Sequence, residues 1–460
     1  MNKMKKNIFL LTAVLSGVLS QATAQQVVTS TPPTPSVNQV RVAPEAREVR
    51  VINGENMRAT KNYKDEDLKS KEVSKEVSVP KGGEIYIENA SRNIIIKTWD
   101  QPKVKVTTTV YYDGESKLSD EEWLEKVNLS LKTLGSSVKV KSGSIGGSTF
   151  YSSGSGGFTY YGPGGSGSGV AVFNGNGQNV GTKANTKRIV TVTIPTGSKL
   201  DLESKYADIS VPTGITDASI DITNGNLEAE NLSKLVLRSK YSNVNVGDIK
   251  NAEIEFTNGR FSAKTINDLD IESKYSTIEM AAVDKVVMRS TNDEYELEEA
   301  GDIRGRKSYG NLRITKLNNS IDIEGSNADI KIRKVGTALN QIKIDDKYAD
   351  IRIPLRDVKN YSVDFTGGYS SVYGNFEKKV SQTTAAAEKA ENKTAKETLA
   401  AEEKSVLKAT TITGIVTGPG PRMLTGWRDD NSPNMFTATV GDGKGLKIVM
   451  KCQNCTVDFK

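Results

Sequence analysis

The sequence predicts an all-β chain: a parallel β-solenoid (β-helix) of roughly 17-residue coils, interrupted by two low-complexity inserts. Three observations carry this. A motif recurs, with SKYADISV from Ser204, SKYSNVNV from Ser239, SKYSTIEM from Ser273 and KSYGNLRI from Lys307, so that Tyr206, Tyr241, Tyr275 and Tyr309 repeat at intervals of about 34 residues. Asn-centred turns fall midway at Asn224, Asn258 and Asn292, dividing each period into two units. Within each unit apolar residues alternate, as in Ile220/Ile222 and Ile254/Phe256 before a turn, or Leu227/Ala229, Val244/Val246 and Ile278/Met280 after it. Period-two alternation in short runs means strands with one face buried.

Such strands cannot bury that face within one unit, and the links are too short for crossover helices, so coil should stack on coil with a rise of ~4.8 Å. A third apolar position, Leu232, Ile249, Ile266 and Val283, recurs about every 17 residues, then returns at Leu317 and Val335. That recurrence favours a coil of half the tyrosine period over a coil of the full period. Tyr206 should then neighbour Asn224 one rung away and Tyr241 two rungs away, with Ile222, Phe256, Val244 and Ile278 buried. Asn-Gly at 224 and 258 supplies a left-handed corner, which Gly tolerates freely and Asn better than most residues. An antiparallel meander with Asn-Gly hairpins is the competing reading.

From the amino terminus, residues 1–24 join Lys3, Lys5 and Lys6 to an apolar run from Ile8 to Leu19 and an Ala22-Thr23-Ala24 site, which reads as a secretory signal peptide cleaved before Gln25. The run is shorter than the ~20 residues that cross a bilayer, so no membrane span is expected after cleavage. Residues 25–48, with Pro32, Pro33 and Pro35, read as a disordered linker. The 49–141 segment carries the same strand, turn, strand grammar and looks like the first coils. Inside it, Ser119 followed by Glu122 makes a capping-box start for a short helix, then a strand pair ending at VKVKS. Residues 142–186 are dominated by Gly, Ser and Asn and read as a loop extruded between coils. Their glycines lack the Lys-Ser/Thr and the strand-to-helix frame of a phosphate loop.

Residues 187–376 hold the main repeats. Residues 377–408, rich in Ala, Glu and Lys, read as a marginal helix or tether, and deletion of either insert should leave the rest folded. Residues 409–460 restore the strands. There Cys452 and Cys455 fall where Ser239 and Ser242 fall in LRSKYSNVNV, which favours a structural disulfide in an oxidising compartment over a redox Cys-x-x-Cys at a helix start.

Composition narrows the function by exclusion. With no histidine and two cysteines in 460 residues, a Ser/His/Asp triad, a Cys/His dyad, a His-ligated metal and a four-cysteine zinc site have no players. The net charge of +6 falls to 6 − 3 = +3 without Lys3, Lys5 and Lys6, and the 62 basic and 56 acidic residues are interspersed. No nucleic-acid partner is expected from such a surface.

The segments GGEIYIENASRNIIIKTWDQPKVKV, VTVTIPTGSKLDLESKYADISV and the SKY/TNG coils resemble the bacterial putative-adhesin family of β-strand-repeat proteins. The resemblance implies an exported β-solenoid of unassigned role. The resulting expectation is a non-catalytic adhesin or scaffold of the cell envelope, in the periplasm or at the cell surface, with no cofactor and with an envelope protein or polysaccharide as partner. Tyr206, Tyr241, Tyr275 and Tyr309 are its candidate binding residues, set against the plainer reading of tyrosines covering a corner. A carbohydrate-binding or carbohydrate-active β-helix is the alternative, and it would need a clustered acidic pair within a groove. An envelope sensing or regulatory protein is the third reading. Asp208, Asp329 and Asp350 share one register, which points to turn chemistry with local backbone donors.

Overall fold

Strand follows strand along nearly all of the chain that the computed structural model describes, as two-residue periodicity requires. The described residues are 61–62, 68–80, 82–143, 149–153, 157–161, 169–380 and 435–460. The expected signal peptide, the linker 25–48 and residues 381–408 of the expected tether lie outside them. Among the described residues there is one helix, and 23 strands join into a single sheet in which parallel and antiparallel pairs are mixed.

The parallel part has the expected register. Lys199–Lys205 lies on Asp217–Thr223, which lies on residues 234–240 of the long strand run Leu232–Val335. Beyond the corner, Ile209–Val211 lies on Asn226–Ala229, which lies on residues 243–246. Partners such as Thr223 and Lys240, or Ala229 and Val246, are 17 residues apart, the interval of the sequence repeat. The Val211 strand therefore meets the Ala229 strand and not the Val246 strand. At the corner the Tyr206 N–H donates to Thr223 O (2.9 Å) and the Asn224 N–H to Lys240 O (3.0 Å), so the Asn rung separates two Tyr rungs.

One face of each strand is sealed. Ile222, Phe256, Val244 and Ile278 are buried, as are Leu232, Ile249, Ile266, Val283 and Leu317, with Val335 partly buried against them. Phe256 and Phe261 meet edge to face, with ring centroids 5.9 Å apart. Exposed ion pairs cross between rungs on the outer face, as from Arg313 to Glu296 (2.9 Å) and Lys316 to Glu299 (3.3 Å). Each such exposed pair contributes little, typically under ~1 kcal/mol, so the apolar columns dominate.

Three expectations change at the ends. The amino-terminal strands are not a plain set of parallel first coils: Lys69–Ser78 runs antiparallel to Lys103–Asp113, which also pairs antiparallel with Ile189–Pro195. Glu84–Ala90 and Asn93–Trp99 do lie parallel to later strands, at Lys199–Lys205 and Ile189–Pro195, and Ser137–Ser142 lies parallel to Glu84–Ala90 on its other side. The 142–186 segment is not a bare loop either. Gly169–Asn174 and Asn179–Ala184 form a hairpin that joins the main sheet along Lys103–Asp113, and Thr149–Ser153 pairs with Gly157–Tyr161 in a separate sheet. Phe173 enters the core beside Trp123 at 5.6 Å, so deleting all of 142–186 would open that core instead of trimming a loop. Alternation as short as Val170/Val172 is drowned by surrounding glycines, which is why composition misread it.

The helix Asp120–Lys126 has the expected capping box, with Ser119 and Glu122 bonding each other's backbone N–H. Its Trp123 and Leu124 face the core, and the buried Arg92 donates to the Val127 carbonyl at the helix C-terminus, where a cation is favourable.

The third change is in chain order. Leu446–Gln453 inserts between Gln341–Lys347 and Tyr361–Thr366, parallel to both. Cys452 and Cys455, both buried, are joined as a disulfide across the corner at Asn454. Closing so short a loop restricts the unfolded chain little, so replacing both cysteines by the serines found at 239 and 242 is expected to cost ~2 kcal/mol. Denaturant titration with and without reductant checks it: reductant should shift the parent by that amount and leave the double variant unmoved.

Candidate functional site: a row of left-handed tyrosines

Between successive parallel strands of the described residues, the chain turns repeatedly through one residue with positive φ. Along the stack these residues are Ser91, Tyr206, Asn224, Tyr241, Asn258, Tyr275, Asn292, Tyr309, Asn327, Tyr348, Asn454 and Tyr369. Their rung order follows from pairing. Ser91 donates to Lys205 O, Tyr348 to Gln453 O and Asn454 to Gly368 O, while contacts between neighbouring rungs, such as Asn311 Nδ2 to Glu294 Oε1, carry the order through the middle. Tyr and Asn alternate without a break from Tyr206 to Tyr369. Chain order alone does not give this, because the alternation past Tyr348 depends on Asn454 arriving from the carboxyl-terminal strand.

Asparagine suits the left-handed region because its short amide bonds locally. Tyrosine does not, and the conformation costs ~1–2 kcal/mol for an ordinary L-residue. No burial offsets that cost here, since Tyr206, Tyr241, Tyr275, Tyr309, Tyr348 and Tyr369 are 50 to 77% exposed. Folding alone would favour Asn on every rung. Bulky residues held at positive φ and left in solvent are the kind of outlier from which a functional role is argued.

Two rungs separate successive rings, ~9.6 Å along the stack. Beside them stand Lys205, Lys240, Lys274 and Lys347, of which Lys205 and Lys274 pair with Glu203 (2.7 Å) and Glu272 (2.8 Å) on their own strands. On the other side runs a polar line in which Asn226 Nδ2 donates to Asp208 Oδ1 (2.8 Å) and Asn243 Nδ2 to Asn226 Oδ1 (3.1 Å). Asp208 and Asp329 thus accept from the neighbouring coil, Asp329 from the Asp350 N–H at 2.9 Å, and not from local turn donors as the sequence suggested. The glycines of Asn224-Gly225 and Asn258-Gly259 also have a different task. The Asn takes the left-handed turn, while a Cβ on Gly225 or Gly259 would collide with the carbonyl oxygen of Ala207 or Ser242.

The four tyrosines picked from the sequence all lie in this row. Tyr348 and Tyr369 were missed, although Lys347-Tyr348-Ala349-Asp350-Ile351 repeats Lys205-Tyr206-Ala207-Asp208-Ile209 letter for letter. That signal was available. Tyr369, in Gly-Gly-Tyr-Ser-Ser-Val, lacks the Ser-Lys before the ring but keeps the Tyr-Ser-x-Val of Tyr241 and the alternating Val363/Phe365 before the turn.

Inside the same corner lies a sealed polar cluster. The coil at Lys307 reads Lys-Ser-Tyr where others read Ser-Lys-Tyr, which turns the lysine inward. Lys307 Nζ donates to Asp293 O (2.7 Å), Ser290 Oγ (3.2 Å) and Tyr309 O (3.2 Å), and burial pushes it down to about 8 against the nearby Asp293, Glu294 and Asp346 charges. The Asp293 carboxylate accepts from Ser273, Ser290 and the Ser276 and Thr291 N–H groups, and Tyr295 bonds Ser273 at 2.6 Å. Burial holds the Tyr295 hydroxyl protonated. Asp293, Tyr295 and Lys307 have no exposed surface, so the cluster holds the corner together and meets no substrate.

The outer groove near this corner, about 490 Å³, includes Glu272, Asp322 and Glu324. Each is held by a cation: Lys274 at 2.8 Å, Lys343 at 3.0 Å and Arg306 at 2.7 Å. Hydrogen bonds from Lys274 and Arg306 keep Glu272 and Glu324 below the ordinary carboxylate range. Among the described residues no group of three acidic or cysteine side chains converges to hold a metal ion.

No protein-family model matches the chain, and no curated protein matches it. Among solved structures it is similar to a putative cell adhesion protein from Clostridium sporogenes, at 11% identity and a TM-score of 0.16, covering 85% of this chain and 99% of that one.

Proposed function

We propose that the chain is an exported, non-catalytic adhesin or scaffold of the cell envelope, its stacked strands forming a parallel β-solenoid of roughly 17-residue coils that presents rows of side chains to a partner. The observation that carries this is the row of six exposed, left-handed tyrosines, costly to the fold and aligned on one edge. Regular parallel pairing between successive coils supports the solenoid, and the row would be continuous along it. The carbohydrate-cleaving alternative needs a free acidic pair within a groove, whereas Glu272, Asp322 and Glu324 in the outer groove are each held by a cation. No helix among the described residues is long and apolar enough to cross a membrane.

Fractionation of the producing cell, with intact-mass measurement, tests export. The chain is expected outside the cytoplasm, beginning near Gln25 and sedimenting with envelope material. Recovery from the cytoplasm with Met1 in place would end the proposal.

A further inference from the structure

We infer that the tyrosine row is a binding edge for an extended β-1,4-linked glycan laid along the stack, each ring under every second sugar; this rests on the adhesive reading above. The argument is one of spacing and chemistry. A pyranose has an apolar C–H face that lies flat on an aromatic ring and a rim of hydroxyls that needs donors and acceptors. Both are supplied here, the rings by Tyr206, Tyr241, Tyr275, Tyr309, Tyr348 and Tyr369, the rim partners by the Asp208, Asn226, Asn243 line and the lysines before the rings.

The rings recur every ~9.6 Å. An extended β-1,4 glycan repeats every two sugars at a length slightly greater than this, so neighbouring rings meet successive repeats in step over a few rungs, and a longer chain re-registers along the row. An extended peptide repeats every two residues at ~6.7 Å and falls out of step by the second ring. A polyproline helix repeats at ~9.3 Å, also near the ring spacing, but it is read in aromatic-lined grooves, whereas the rings from Tyr241 to Tyr348 each stand between two Asn rungs in a single exposed row. The Asn rungs have a purpose in this view. A ring on every rung would stand ~4.8 Å from the next, too close to match the two-sugar repeat. The carboxyl-terminal strand preserves the spacing where it breaks chain order, since without Asn454 the Tyr348 and Tyr369 rungs would be adjacent.

Affinity electrophoresis of the full chain in gels containing hydroxyethylcellulose or soluble starch tests this, with calorimetry on cello-oligosaccharides of two, four and six sugars. Retardation by the β-1,4 polymer and not by starch is expected, with affinity rising with length as further rings engage. The variant combining Tyr241→Asn, Tyr275→Asn and Tyr309→Asn places on those rungs the residue already used between them. It should melt at or above the parent temperature and bind about tenfold or more weakly. Tyr275→Phe, which keeps the ring, should bind as the parent does. On the unaltered chain, cellohexaose should protect tyrosines from nitration, a readout that needs no variant to fold.

Equal retardation by starch, unchanged binding by the triple variant, absence of nitration protection, or binding of a proline-rich peptide in place of the glycan would each overturn the inference. Retention of the chain on envelope material with no affinity for the glucan would sink this inference and leave the adhesive reading standing. Failure to bind either would remove both.

Discussion

Phe256→Ala is expected to cost ~3–5 kcal/mol, the range for truncating a fully buried aromatic ring. The ring is 1% exposed, packs edge to face on Phe261, and sits in the inward column just before the Asn258 corner. Its neighbours in that column are Ser239 and Ser273, one rung to either side, so no bulky residue can swing in to fill the hole. Backbone hydrogen bonds to the rungs above and below hold the strands at ~4.8 Å and prevent collapse along the stack. Denaturant titration should show a lower midpoint at an unchanged slope. A loss under ~0.5 kcal/mol would place the ring on the surface and break the register.

Asp346→Asn should change how stability depends on pH. Asp346 takes the inward corner position beside Gly325, where any added Cβ would collide with its Oδ2, and that oxygen has no hydrogen-bond partner. Burial pushes the carboxyl up to about 7, the Lys347 and Ala328 N–H groups opposing and the Asp329 and Asp345 charges adding. The ordinary value is 3.8, so the folded state holds the proton more tightly than the unfolded state. The associated stability is fully present below about pH 4 and is lost as pH rises through 7. A difference of this size corresponds to ~4 kcal/mol. The Asn variant, which cannot ionise, should therefore gain on the parent by about that amount between pH 4 and pH 8. Parallel denaturation curves for the two proteins across that range would show the carboxyl to be solvated and the corner open.

Much of the core is legible in the amino-acid sequence. Period-two alternation at Ile220/Ile222 or Val244/Val246 names the inward face directly, because successive side chains on a strand point to opposite sides. The regular recurrence of Leu232, Ile249, Ile266 and Val283 names the rung, since stacked columns need equal residues per turn. The capping box at Ser119 and the cysteine pair at 452 and 455 are equally local, each needing only residues three apart. Less visible are the strands within Gly169–Ala184, whose pairing partner lies far upstream at Lys103–Asp113. No local pattern reports an edge that closes on a distant strand.

The candidate site divides the same way. Sequence alone established that Tyr206, Tyr241, Tyr275 and Tyr309 share one register and that Asn residues fall midway between them. It also established that the chemistry of histidine is absent. It could not reveal that those tyrosines take the left-handed conformation, because backbone angle is imposed by the neighbouring rungs and runs against tyrosine's own preference. Nor could it order the far end of the row. Tyr348 and Tyr369 are consecutive corners in the chain, yet Asn454 separates them in space, because the carboxyl-terminal strand finds its two free edges there and hydrogen-bonds to both. Register within a repeat is set by side-chain periodicity, which the sequence carries. Which edge a returning strand fills is set by unpaired backbone groups, and every residue carries those alike.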